Sequence, residues 1–197
     1  MTATMRIGAR GALRRLMPAL FLIGCGAPAA QALAIEASHT EMSGAASAAS
    51  IAAAEVSAAR AGWRDVRVSQ AQSFRLIVGD RAVAALVTGK AMLAPGVPGC
   101  FAGVVQGDRV ALVPTIGQGE YETTSCGGPV AAGILFSGAP VGIGVVFQSY
   151  SPNAAPREPI AFRWDVATNA FAIDAARSET ASLAGAQSIA DMRRALH

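Results

Sequence analysis

Between residues 64 and 175, short β-prone runs alternate with turns rich in glycine, proline and polar residues. The first two runs, residues 74–78 and 81–87, are separated by Gly79-Asp80. A Gly-Asp pair between apolar runs predicts a hairpin, because glycine adopts positive φ without a steric penalty. The same turn chemistry recurs at Gly107-Asp108, between residues 103–105 and 109–113.

Two more hairpins follow from the same pattern. One joins residues 134–136 to 141–147 through 137–140, and the other joins residues 160–164 to 171–174 through 165–169. Several short strands at this spacing are typical of an antiparallel sandwich or a small barrel. The predicted fold is therefore mainly β, and residues 63–197 are predicted to form a single β-rich domain.

Both ends of this domain carry helix signals. Residues 35–62 are rich in alanine and serine, with few large apolar side chains. They predict an N-terminal arm that is either a linker or a weak helix from about Ser47 to Ala61. Near the C-terminus, Ser178 is predicted to cap one helix. Ser188 and Asp191 have capping-box spacing, which predicts a short C-terminal helix.

One tract lacks charge altogether. Between Glu122 and Arg157 there are 34 residues without a charged side chain. An antiparallel strand with one face in water normally alternates apolar and polar positions, and residues 130–146 do not. Two interpretations stay open: a central hairpin of the core, covered on both faces, or a surface that docks on a partner chain or a membrane.

The first 34 residues predict export. Four arginines precede an uncharged apolar run, which ends in small residues and the sequence Ala32-Leu33-Ala34. Basic region, apolar region and A-x-A site together are typical of a secretory signal peptide over residues 1–34. The expected location is therefore periplasmic or secreted.

Cys25 offers an alternative. Residues 22–25, Leu-Ile-Gly-Cys, resemble a bacterial lipobox, in which the cysteine is acylated and becomes the new N-terminus. Cleavage before Cys25 would make the protein a membrane-anchored lipoprotein. In either case, the expected contact with a membrane is through the leader or a lipid anchor.

Removing the leader changes the charge. The whole chain has a formal net charge of +3, and four of its 16 basic residues lie in the leader, which leaves 12 against 13 acidic residues. The basic character therefore belongs to the targeting segment, and the pattern does not predict a nucleic-acid partner.

The cysteines sort in the same way. Cys100 and Cys126 remain as a pair beyond the leader, and an even count in an oxidising compartment predicts a disulfide. A metal pair and a reactive thiol are the alternatives. Both would need further ligands or a histidine partner, and only His39 and His197 are available, so no metal site and no cofactor are predicted.

A polar loop supplies the candidate binding residues. Glu120, Tyr121 and Glu122 lie in a glycine-rich stretch that ends at Cys126. A scaffolded polar loop is a common binding design, although two solvated glutamates on a turn would look the same. Trp164 is a further candidate, as part of a sugar platform or, alternatively, as packing within a hairpin.

The sequence contains no G-x-S-x-G and no P-loop pattern. The first hypothesis is therefore a small exported, non-enzymatic binding domain of the bacterial envelope that acts through contact with another envelope protein. The alternative is a hydrolase of envelope polymers that uses Glu120 or Glu122. A Ser–Lys mechanism around Lys90, the one lysine in the chain, is a weaker option.

Overall fold

The computed structural model describes residues 39–119, 124–151 and 154–197. The predicted signal peptide and the lipidation of Cys25 lie outside the described residues. So do Glu120, Tyr121 and Glu122 of the candidate loop.

The described residues form ten strands, three α-helices and one short 3-10 helix. The strands are β1 (Thr40–Ala45), β2 (Arg64–Val68), β3 (Phe74–Val78), β4 (Arg81–Ala94), β5 (Val97–Gln106), β6 (Arg109–Pro114), β7 (Ser125–Phe136), β8 (Val141–Tyr150), β9 (Arg157–Trp164) and β10 (Phe171–Ile173). The helices are α1 (Ala48–Arg60), α2 (Ala175–Leu183) and α3 (Ile189–Leu196), with the 3-10 helix at Gln70–Gln72.

The strands form two antiparallel sheets, which confirms the predicted β sandwich. The first sheet has the order β1-β3-β4-β5-β6, with β2 paired to β4, and the second has the order β10-β9-β8-β7. All four predicted hairpins are present, as β3–β4, β5–β6, β7–β8 and β9–β10. The local turn chemistry therefore identified the strand pairs correctly.

The main core lies between the two sheets. The first sheet contributes Leu76, Leu86 and Val104, and the second contributes Phe147 and Phe162, all fully buried. The predicted disulfide between Cys100 of β5 and Cys126 of β7 is present and joins the two sheets. Its Cα atoms are 5.3 Å apart, within the range that disulfides normally span.

Helices cover the outer face of each sheet. Helix α1 buries Ala54 against Val87 and Val105 of the first sheet. Helices α2 and α3 bury Ala181 and Met192 against the second sheet. Small residues on α1 and α2 let each helix approach its sheet closely. The domain therefore has four layers: α1, the first sheet, the second sheet, and α2 with α3.

The alanine- and serine-rich segment before residue 63 contains both β1 and α1. The structure thus has the helix that the sequence allowed there, and Ser47 caps it by accepting a hydrogen bond from the Ser50 amide at 3.1 Å. Strand β1 was not predicted. It pairs with β3 from Thr40 to Ala45, and its mostly exposed, polar sequence gives little strand signal.

The uncharged tract supplies β7 and β8. Residues Val141–Phe147 of β8 are all buried, because one face meets the inter-sheet core and the other meets α2 and α3. This is the two-sided burial that the core interpretation requires. Strand β7 is an edge strand, where the Arg193 guanidinium donates hydrogen bonds to the Ile134 carbonyl at 2.6 and 2.8 Å.

The C-terminal helices follow one prediction and correct another. Ser188 caps α3 by accepting from the Asp191 amide at 3.1 Å, as the capping-box spacing predicts. The prediction that Ser178 caps a helix is wrong. Helix α2 begins at Ala175 with Asp174 as its cap, and the buried Ser178 hydroxyl accepts from the Ala161 amide of β9 at 2.9 Å. Ser178 therefore ties the helix to the sheet.

Candidate functional site

Trp164, the one predicted binding residue that the structure describes, is not on a surface. It is fully buried in the inter-sheet core, and its indole Nε1 donates to Asn169 Oδ1 at 3.1 Å. A sugar platform needs an exposed ring, so the structure corrects that interpretation of Trp164 to core packing. The other predicted residues, Glu120, Tyr121 and Glu122, lie outside the described part of the chain.

The structure instead shows a groove that sequence reasoning did not identify. It has a volume of about 670 Å³. It lies between the end of β6, strand β10 and one side of α2 along the whole length of the helix. We call it the β6–α2 groove. Its main lining residues are Val113, Thr115, Gln118, Ile173, Glu179 and Leu183.

The groove lies at the C-terminal end of β6. At the start of β6 the sheets are linked, because Asn169 Nδ2 donates to the Arg109 carbonyl at 3.3 Å and Gln106 Nε2 donates to the Val166 carbonyl at 3.1 Å. At the other end of β6, Val113 and Pro114 border the open space instead. Helix α2 forms the facing wall.

Leu183 gives the groove an exposed apolar rim. Its side chain is 83% exposed at the last residue of α2, where the neighbouring Ser182 and Ala184 are also exposed. A single exposed leucine is ordinary on a protein surface. Here it borders a groove whose lining also contains the apolar residues Val113 and Ile173.

Thr115 is a buried polar residue of the groove lining. Its hydroxyl Oγ1 is buried and has no hydrogen-bond partner among the described residues, although its amide donates to the Cys100 carbonyl at 2.8 Å. A buried hydroxyl without a partner costs about 1–3 kcal/mol, so most such groups in proteins are paired. Thr115 belongs to the groove lining, but its hydroxyl has almost no solvent-accessible surface, so a ligand in the groove would not reach it.

The groove lining includes the residues that immediately precede the predicted binding loop in the sequence. Gln118 and Gly119 line the groove and are the last described residues before Glu120. Gly117 and Gly119 both have positive φ, of 87° and 59°, a conformation that glycine adopts without strain. The chain therefore turns at the groove just before the candidate loop begins.

Three carboxyl groups among the described residues have shifted pKa values, and none of the three lines this groove. Burial raises the pKa of Glu158, against a hydrogen bond from Ser149 that lowers it. A backbone hydrogen bond from Thr168 lowers the pKa of Asp165, and the Ser188 hydroxyl lowers that of Asp191. The two aspartates stabilise a turn and a helix start, which are structural roles.

Within residues 39–119, 124–151 and 154–197, no group of three or more His, Cys, Asp or Glu side chains is arranged to hold a metal ion. In the same part of the chain, no helix is long and apolar enough to cross a membrane. Comparison with protein-family models, curated proteins and solved structures finds no match. The geometry of the chain itself is therefore the basis for any functional proposal.

Proposed function

We propose that this chain is a small exported binding domain of the bacterial envelope that acts through contact with another protein. The observation that carries the proposal is the β6–α2 groove, whose lining includes Val113, Ile173 and the 83% exposed Leu183. Apolar concave surface with a few placed polar groups is the usual character of a binding site.

The lining residues favour a particular kind of contact. Val113, Ile173 and Leu183 would take an apolar side chain of the partner. Glu179, Ser182 and Gln118 are exposed around the groove and would form the polar rim. An apolar centre with a polar rim is the common anatomy of a protein interface.

Export is the second part of the proposal. The inter-sheet disulfide favours it, because disulfides persist in oxidising compartments such as the periplasm. The leader pattern of residues 1–34 gives independent support from the sequence. The mature protein would be either a free chain cleaved after Ala34 or a lipoprotein that begins at Cys25. Mass spectrometry of the mature N-terminus distinguishes these two forms.

Quantitative co-purification tests the contact. The mature domain is immobilised and exposed to an envelope extract, and retained proteins are compared between wild type and Leu183→Asp. Val56→Asp is the matched control, because Val56 is a 50% exposed apolar residue on α1 and does not line the groove.

We expect at least one retained protein to be lost with Leu183→Asp and kept with Val56→Asp. Placing a charge at the groove rim removes apolar contact and desolvates a carboxylate without a partner. Identical sets of retained proteins for all three chains would contradict the groove as the contact surface. Circular dichroism confirms that both variants are folded.

A further inference from the structure

A second cavity lies beside the disulfide and differs in chemistry from the β6–α2 groove. Its volume is about 330 Å³, and we call it the disulfide cleft. Its principal lining residues are Asp65, Arg67, Lys90, Met92, Pro98 and Cys126. Two of these side chains are cationic, and Lys90 is the one lysine in the sequence.

Arg67 and Lys90 stand directly opposite one another. They are Cα partners in the antiparallel pairing of β2 with β4, and both are exposed. Opposite residues of an antiparallel pair have side chains on the same face of the sheet, and like charges there repel. The two cations therefore concentrate positive charge at one point of the cleft.

An irregularity in β2 adds a third cation to this face. Arg64 pairs with Met92 and Arg67 with Lys90, so three steps along β2 match two steps along β4. The extra residue lies between them, where Asp65 has a φ of 50°. In a regular strand, residues three apart point to opposite faces; this bulge brings Arg64 and Arg67 to the same one.

Arg64, Arg67 and Lys90 lie on the face of the first sheet that is directed toward the second sheet. Lys90 is also the partner of Cys100 in the pairing of β4 with β5, and Cys100 bonds across to Cys126 of β7. At this end of the first sheet, the inner face carries exposed cations where elsewhere it carries the core. The disulfide marks the boundary between the two regions.

Arg64, Arg67 and Lys90 have no anionic partner within the described part of the chain. The ion pairs among the described residues involve Arg163, Arg177 and Arg194. Arg64, Arg67 and Lys90 form no ion pair or side-chain hydrogen bond with any described residue. Asp65 lines the cleft as well, and against two lining cations it leaves the charge of the lining positive.

The positive φ of Asp65 supports a functional role for the three cations on this face. A positive φ is uncommon for residues other than glycine, and aspartate tolerates it better than most. Such strain clusters at functional sites. At Asp65 the strained residue lies at the bulge that places Arg64 on the face of Arg67 and Lys90.

We infer that the disulfide cleft binds a small oxyanion, a phosphate or carboxylate group, between Arg67 and Lys90. Arginine presents a planar fork that matches either group, and lysine adds a compact point charge. Met92, Pro98 and Cys126 supply an apolar wall for the body that bears the anion. The inference is independent of the proposed partner groove, which other residues line.

Lys90 makes a direct test available. With one lysine in the sequence, an amine-acylating reagent modifies Lys90 and the chain's N-terminus, and mass spectrometry of the peptides separates the two. The acylation rate of Lys90 is measured in inorganic phosphate, in succinate and in sodium chloride at equal ionic strength. Bound oxyanion holds the ammonium charged and shields it, so acylation slows.

We expect the Lys90 rate to fall hyperbolically with phosphate or with succinate, by roughly tenfold once the anion exceeds its Kd tenfold. The N-terminal rate serves as the internal reference. The more effective anion identifies the group as phosphate or carboxylate. Equal Lys90 rates in all three salts would overturn the inference.

Two arginine variants distinguish anion binding in the disulfide cleft from a general effect of positive charge on the protein. Arg67→Gln is expected to remove the protection, whereas Arg60→Gln, an exposed arginine at the end of α1, is expected to keep it. Thermal unfolding checks that both variants are folded. Protection that persists in Arg67→Gln, or is lost equally in Arg60→Gln, would also overturn the inference.

Discussion

Cys100 and Cys126 join β5, which lies next to the edge strand β6 of the first sheet, to the edge strand β7 of the second sheet. The bond lies between two regions of different chemistry. On one side is the apolar core that contains Leu86 and Phe147, and on the other is the disulfide cleft with Arg67 and Lys90. A covalent link at this position holds the two sheets at a fixed spacing where the apolar packing ends.

Removing this link is expected to destabilise the domain. The half-cystines are 26 residues apart, and closing a loop of that length stabilises a fold by about 3.5 kcal/mol through the entropy of the unfolded chain. We expect Cys100→Ser with Cys126→Ser to lower the free energy of unfolding by about 2–4 kcal/mol in urea denaturation. A loss below about 1 kcal/mol would show that packing alone holds the sheets together.

Asp174 is expected to stabilise the start of α2. Its carboxylate accepts from the Arg177 amide at 3.3 Å and from the Arg177 guanidinium at 2.6 Å. Asp174→Ala removes both bonds, and loss of a helix cap costs about 0.5–2 kcal/mol. Urea denaturation measures the change.

Asp174→Asn is the matched control for this position. Asparagine caps a helix about as well as aspartate but cannot form the ion pair with Arg177. We expect it to retain part of the stability that alanine loses, because its side-chain oxygen can still accept from the Arg177 amide, and the remainder measures the ion pairs of the buried carboxylate with Arg177 and Arg163. Equal losses for the two variants would assign the effect to the ion pair.

Glu158 predicts a pH dependence of stability. Burial raises the pKa of this carboxyl in the folded state above its ordinary value of 4.5. The protonated form is therefore favoured by folding. The contribution of the protonated Glu158 carboxyl to the free energy of unfolding is fully present below the pKa of the unfolded state. It is lost as the pH rises through the pKa of the folded state.

At neutral pH, Glu158→Gln is expected to increase the free energy of unfolding, because the buried charge is gone. Below pH 4.5 the gain should shrink, since the wild-type carboxyl is then protonated in both states. Urea denaturation at the two pH values measures the difference, with Glu55→Gln on the exposed face of α1 as control. A gain that is the same at both pH values would contradict burial as the cause.

The sequence predicted the hairpins because their determinants are local. Gly79-Asp80 and Gly107-Asp108 lie between the strands that they join, so the turn residues alone identify each pair. Strand β1 escaped detection because its pairing with β3 spans a helix, a second strand and a 3-10 turn. Its residues, Thr-Glu-Met-Ser-Gly-Ala, lack a strand pattern of their own.

The surfaces could not be predicted because they depend on contacts between distant parts of the chain. Arg67 and Lys90 are brought together by the register of β2 on β4, and Arg64 joins them only through the bulge at Asp65. Thr115 and Leu183 border one groove because β6 of the first sheet lies beside α2, which packs on the second. The isolated leucine in an otherwise small and polar helix end was the one available signal.

Photo-crosslinking in intact cells tests the central claim, that the β6–α2 groove contacts a partner protein, most directly. A benzophenone side chain replaces Leu183 in one chain and Val56 in another, and adducts are resolved by mass after irradiation. We predict a discrete adduct with another envelope protein from position 183 and none from position 56. Equal adducts from both positions, none from either, or an adduct formed only with a second copy of this chain would contradict the account.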